Sequence, residues 1–264
     1  MYYDYHVHSH FSADCEAQMK DIVEKAIELG IKEVCFTDHI DYDYCDPSIN
    51  FDIDLDEYTD HIKLMRDRYG ENIKILKGVE MGFQPHIVKR CDNLVKSGDF
   101  DFVIASMHTC NRQDLYNRDY FKGKTAREAY LKYFEEMLYC VKNFESFSVL
   151  GHLNILARYN DDVARENLVD YFDILEVIFK ELIKRNKGIE INTSSLRYSN
   201  TLLLSPDVLK FYYKLGGKII TLGSDTHVPN TLAHEFDYIY GILREIGFEY
   251  ITTFEKLQPR FVKI

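Results

Sequence analysis

Six short motifs in this chain combine residue types that bind first-row metal ions: His6-Val7-His8, Thr37-Asp38-His39, Gly78-Val79-Glu80, Ser106-Met107-His108, Leu150-Gly151-His152 and Gly223-Ser224-Asp225-Thr226-His227. They hold six of the ten histidines. Imidazole together with carboxylate suits zinc, manganese or iron, whereas an all-oxygen set would suit magnesium or calcium. No cysteine joins them, which favours an open, hydrolytic centre over a closed structural one. Singly, each motif has an ordinary alternative: a lone His-x-His can be a hydrogen-bonded core pair, and His108 or His152 alone says little. Glu80 says more, because a carboxylate on an inward strand face is costly unless it is paired or bound to metal. The coincidence of all six carries the metal reading.

That coincidence depends on where the motifs lie. Apolar or β-branched runs recur near 3–8, 33–38, 73–81, 101–107, 147–152, 188–193 and 218–224, and each motif closes or directly follows one of them. Helical periodicity follows each run, near 17–29, 54–69, 86–97, 125–143, 166–186, 205–215 and 231–246. Gly30, Gly70, Gly98, Gly188, Gly216 and Gly247 stand as C-terminal stops. With no repeat period, linker or low-complexity run, seven strand–helix units predict a single α/β domain over 1–264. Helical crossovers make the strands parallel, so the expected fold is a distorted (βα)7 TIM-like barrel, with a doubly wound open sheet as the structural alternative. Residues two apart on a strand share a face, and a parallel barrel gathers its active site at the C-terminal strand ends. Sequence-distant motifs would meet there. The apolar tail over 250–264 is expected to form a terminal strand or a cover.

At 264 residues, 46% hydrophobic and 28% charged, the chain has the make-up of a soluble globular protein, and barrels of roughly 200–250 residues fold as one unit. No stretch approaches the ~18 uncharged apolar residues of a membrane span. The opening Met1-Tyr2-Tyr3-Asp4-Tyr5-His6 has neither a basic nor an apolar signal region, so no export is expected. The six cysteines are scattered without a CxxC pair and read as reduced thiols in a cytoplasmic setting. A net charge of −11 disfavours nucleic acid, whose binding rests on clustered lysine and arginine, and points to a small-molecule partner. Oligomeric state is not legible.

Taken together, the motifs resemble the PHP family, the polymerase and histidinol phosphatase superfamily, and within it the monofunctional histidinol-phosphate phosphatases. The resemblance runs from Asp4-Tyr5-His6-Val7-His8-Ser9-His10-Phe11-Ser12 to the closing Gly223-Ser224-Asp225-Thr226-His227, through Phe36-Thr37-Asp38-His39 and Ala105-Ser106-Met107-His108. It implies a PHP-type barrel with two or three divalent metal ions, zinc, manganese or iron. His6, His8, Glu80 and Asp225 would hold one ion, with Glu80 bridging to a second held by His108 and His152. Asp14, His39 and His227 would hold a third, Asp14 being the position at which family members vary.

Such a cluster would activate a bridging water for in-line attack on phosphorus and neutralise the phosphoryl oxygens. The implied reaction is hydrolysis of a small phosphate monoester, L-histidinol phosphate, in histidine biosynthesis. Glu80, Asp225 and His227 are the candidate catalytic residues, and Asp225 or His227 could protonate the leaving alkoxide. Arg158 and Arg197, past the ends of strands five and six, are candidates for gripping phosphate through a bidentate fork. Tyr42, Tyr44, Tyr116 and Tyr198 could wall a pocket for an imidazole ring, and Asp41, Asp43, Asp161 or Asp162 could face an amine, although a solvated loop carboxylate is the plainer reading of each. The alternative within the family is a PHP-type nuclease or nucleotide phosphatase. A barrel that binds metal without turnover, and an amidohydrolase-like barrel, are the other readings.

Overall fold

In the computed structural model, residues 1–199 and 202–264 are described. Strands one to seven are Tyr2–Val7, Ile31–Phe36, Lys74–Gly82, Phe102–Ser106, Val149–Leu150, Gly188–Asn192 and Ile220–Gly223. They pair in parallel and in sequence order, which a doubly wound sheet does not do. The sheet then closes on itself. Val7 bridges Thr226 in parallel, His8 N donates to Thr226 O at 2.9 Å, and Asp225 N donates to His6 O at 2.8 Å. The result is a nearly closed α/β barrel whose seam joins two of the predicted metal motifs.

A helix follows each strand: Met19–Glu28, Leu55–Tyr69, Val88–Ser97, Ala126–Asn143, Phe172–Lys184, Pro206–Lys214 and Phe236–Ile246. Two of the starts carry sequence-encoded side-chain caps. Asp54 accepts from Asp56 N and Glu57 N, and Thr125 with Glu128 forms a reciprocal capping box, each worth about 1 kcal/mol. Among the expected glycine stops, Gly30, Gly216 and Gly247 take the left-handed conformation that ends a helix. Gly188 does not stop a helix. It is the first residue of strand six, where a Cβ would fall 2.3 Å from Ile219 O, so its role is close approach of neighbouring backbones.

Alternation along the strands separates an outer core from the barrel lumen. On strand three, Val79 and Met81 join the outer apolar layer, while Leu76 and Glu80 point inward. On strand six, Ile189 and Ile191 pack outward and Glu190 inward. The lower lumen is apolar, filled by Tyr5, Cys35, Leu76, Phe102, Ile104, Val149, Ile219 and Phe254. The upper lumen is polar. Strand one would break its own alternation, since Tyr5 lies in the lumen and Val7 packs outward against the helix Met19–Glu28. A register shift between Asp4 and Val7 resolves this and lets both His6 and His8 face the lumen.

The tail forms an antiparallel hairpin, Tyr250–Glu255 with Gln258–Lys263, beneath the barrel. Phe254 enters the lumen beside Phe102, with ring centroids 5.1 Å apart, and its N–H donates to Tyr5 Oη at 3.0 Å. The hairpin thus closes the end opposite the metal motifs.

Candidate metal centre and substrate pocket

Glu80 is 1% exposed and stands at the middle of the upper lumen. Its Oε2 lies 3.1 Å from His6 Nε2, 3.5 Å from His8 Nε2 and 3.1 Å from His39 Nδ1. Its Oε1 lies 2.8 Å from His152 Nε2 and 3.2 Å from His108 Nε2. One carboxylate therefore divides the histidines into two groups, one per oxygen. Asp225 Oδ1 adds to the first group, 3.4 Å from His8 Nε2 and 3.7 Å from His6 Nε2. Asp14 Oδ2 sits at the rim, 3.6 Å from His39 Nε2 and 3.4 Å from His227 Nε2. All nine predicted ligands, from six strand ends and the loop after strand one, thus come together. Asp225 takes a positive φ of 53°, a conformation a non-glycine residue adopts at some cost and one that clusters at functional sites.

Behind these side chains lies a second row to which the sequence motifs assign no role in holding the histidines, Glu190 lying outside those motifs altogether. Glu190 Oε1 makes a short hydrogen bond to His6 Nδ1, and its Oε2 accepts from His152 N at 2.8 Å. Ser12 Oγ meets His8 Nδ1 at 3.1 Å and donates to Asp38 Oδ1 at 2.8 Å. Asp41 Oδ1 accepts from His108 Nδ1 at 2.7 Å. In each case the partner on Nδ1 fixes the ring and leaves Nε2 aimed at the lumen, the arrangement that orients metal-binding histidines. Asp41 is therefore neither a solvated loop carboxylate nor an amine partner: the segment His39–Asp41 pairs with strand three and buries it.

The charges are tightly coupled. Burial alone would raise the Glu80 carboxyl, but His6, His39 and His108 outweigh it and hold the group well below the usual carboxylate range. Asp225 is held down in the same way by His6, His8 and Arg158. Burial, reinforced by His227 and His39, pushes His8 down to about 3. For His39 burial works downward, yet Glu80, Asp41 and Asp14 bring it up to about 9. Imidazole nitrogens facing ionised carboxylates are a donor set for a divalent cation, which would take the place of the protons that the carboxylates otherwise hold on His39 and its neighbours. The fit is supported by His6 Nε2 and His8 Nε2, buried ring nitrogens with no hydrogen-bond partner among the described residues. Among the described residues three ligand triads are close enough to share an ion: His6/His8/Asp225, His39/Glu80/His108 and His8/His39/His227.

Above the cluster opens a cavity of about 530 Å³. Arg158 and Arg197 both line it. Arg158 reaches Asp225 Oδ2 at 3.1 Å and Ser194 Oγ, while its buried Nε has no hydrogen-bond partner among the described residues. Arg197 donates to Ser224 O at 2.7 Å and Asp225 O at 3.1 Å, bracing the end of strand seven. Tyr44, Tyr116 and Tyr198 line the cavity as expected, joined by Phe51 and Tyr159. Tyr42 does not line it; its ring lies 3.5 Å beneath the Arg90 guanidinium. Asp43 is likewise elsewhere, paired with His86 and Arg90, and Asp161 and Asp162 occupy the exposed first turn of a short helix capped by Asn160.

Residues 4–194 match the PHP domain family, which is most of the chain. The chain belongs to the PHP domain family. A PHP relative, the histidinol-phosphatase of Lactococcus lactis, is 34% identical over 257 residues, covering 97% of this chain and 95% of its own. The crystal structure of the Lactococcus lactis histidinol phosphate phosphatase, in complex with zinc, L-histidinol and phosphate, superposes with a TM-score of 0.91 at 33% identity over 98% of both chains. A Listeria monocytogenes structure superposes with a TM-score of 0.77, covering 89% of this chain and 98% of that one; at 17% identity it shows the PHP barrel alone. The expected fold and family are thus both borne out. Among the described residues no helix is long and apolar enough to cross a membrane, and all six cysteines are free.

Proposed function

We propose that this PHP-domain chain is a metal-dependent phosphomonoesterase that hydrolyses L-histidinol phosphate to L-histidinol and phosphate. The observation that carries the reading is the division of Glu80 between two histidine groups beneath a cavity lined by Arg158 and Arg197. Support for the substrate comes from the near full-length likeness to the Lactococcus lactis phosphatase and to its complex with zinc, L-histidinol and phosphate.

His6, His8, Glu80 and Asp225 would hold one ion, Glu80, His108 and His152 a second, and Asp14, His39 and His227 a third. Bound divalent cations supply Lewis-acid charge stabilisation at phosphorus and acidify water at neutral pH. The chain's own residues do the rest. Glu190, Ser12 and Asp41 fix the histidine rings from behind, so the donors stand ready without reorganisation. Arg158 offers its free Nε to a phosphoryl oxygen and, through Asp225, ties that grip to the cluster. Arg197 supports the same wall. His227 hydrogen-bonds Asp225 O through Nδ1 at 3.2 Å, which fixes the ring and aims Nε2 at Asp14, 3.4 Å away, where the two would share the third ion at the cavity rim. Two or three ions, as zinc, manganese or iron, fit this donor set, a single domain spans 1–264, and the cytoplasm is the proposed setting.

The test is phosphate release from L-histidinol phosphate before and after chelation. Activity lost on chelation and restored by zinc or manganese is expected; turnover indifferent to chelation overturns the reading.

A further inference from the structure

The cavity wall carries one carboxylate that the metal cluster does not use. Asp114 is 4% exposed and lines the cavity. Its Oδ1 accepts from Tyr116 N at 2.8 Å and its Oδ2 from Tyr44 Oη at 3.1 Å. Both donors are neutral, and among the described residues no cationic side chain pairs with it. A buried carboxylate met only by neutral donors has no counter-charge of its own and gains from a cationic partner.

Asp114 is also held firmly. It ends a two-stranded hairpin, Thr109–Cys110 with Gln113–Asp114, whose turn residues Asn111 and Arg112 both take positive φ, 52° and 57°. That is the two-residue turn whose twist suits a hairpin. Glu136 Oε2, on the helix Ala126–Asn143, accepts from Asn111 N at 2.9 Å and anchors the turn. The hairpin follows directly on His108, so the carboxylate is rigidly placed relative to the metal cluster.

A negative group here repels phosphate, so it serves the other half of the ester. Its surroundings are aromatic: Tyr44 and Phe51 meet edge to face at 4.9 Å, and Tyr116 and Tyr159 at 5.9 Å. Rings around one carboxylate suit a small organic cation, which finds a charged hydrogen-bond partner and π-faces together. We propose that Asp114 is a specificity-determining residue that binds the protonated amine of an amino-alcohol phosphate while Arg158 and the metal cluster hold the phosphate. The proposal rests on the phosphomonoesterase reading above and specifies the class of alcohol that the site selects.

The test compares two esters, L-histidinol phosphate and imidazolylpropyl phosphate, which is the same ester without the amine. The readout is the ratio of their kcat/KM values in the metal-loaded protein. Wild type is expected to favour the amine by well over tenfold, because a site built around a buried charged acceptor rejects a ligand that leaves it unpaired. Asp114→Asn is expected to lower that ratio at least about tenfold, chiefly through KM for the amine-bearing ester. Tyr44→Phe, which unpins the same carboxylate, is expected to lower the ratio severalfold and serves if the Asn variant is not recovered folded. A large wild-type ratio that survives these substitutions overturns the assignment of Asp114 and leaves the phosphatase reading standing. A wild-type ratio near one overturns amine recognition altogether, while phosphate release from neither ester overturns the phosphatase reading with it.

Discussion

Glu190, on strand six, hydrogen-bonds His6 Nδ1, on strand one, across the barrel lumen, and both side chains are fully buried. The contact leaves only Nε2 of His6 free to face Glu80 and Asp225. A carboxylate behind an imidazole raises its basicity and fixes its tautomer.

Glu190→Gln keeps the shape and removes the charge. It is expected to lower metal occupancy or kcat/KM by roughly 10–100-fold, the usual cost of losing such a partner. Metal analysis of the dialysed variant, beside circular dichroism to confirm the fold, checks this. Wild-type occupancy and turnover would return Glu190 to a packing role.

Asp41 does for His108 what Glu190 does for His6, on the other side of Glu80. Asp41→Asn should therefore affect the ion held by His108 and His152 before the one held by His6 and His8. Stepwise metal titration would show one weakened equivalent, and uniform weakening of all equivalents would argue against separate ligand groups.

Removing metal leaves buried nitrogens and carboxylates without their cation. Chelation is expected to lower Tm by roughly 5–10 °C, the consequence of losing about 2.7 kcal/mol of binding at a hundredfold excess over Kd in a chain of this size. Calorimetry with and without chelator checks it, and an unchanged Tm would mean that the folded state gains nothing from metal.

The terminal hairpin should matter for stability and not for chemistry. Phe254 is 1% exposed in the lower lumen, packed against Phe102. Phe254→Ala is expected to cost about 3–5 kcal/mol, as for other buried aromatic truncations. Chemical denaturation measures this, and a loss under 1 kcal/mol would show that the lumen is sealed without the hairpin.

Much of this was legible in the sequence because period-two alternation and His/Asp/Glu motifs at strand ends are local signals. The seven strands, their helices and eight of the nine proposed ligands fall where the motifs put them, while Asp14, in the loop after strand one, was suggested by the family resemblance alone. What stayed hidden depends on tertiary placement. Glu190 sits between Ile189 and Ile191, so a charged residue at an inward position was visible, but its partner His6 is on the far side of the seam. Asp41 opens a polar stretch that reads as loop, and only pairing of His39–Asp41 with strand three buries it. Asp114 lies on a short hairpin with no apolar run to announce it. The register shift that turns His6 and His8 inward has no sequence signature at all.

Selectivity for L-histidinol phosphate is measured as kcat/KM of the zinc- or manganese-loaded protein on that ester, beside p-nitrophenyl phosphate, nucleoside monophosphates and a short oligonucleotide. The expected value for L-histidinol phosphate lies far above the others. Equal values for the monoesters, or faster cleavage of the oligonucleotide, would contradict that selectivity.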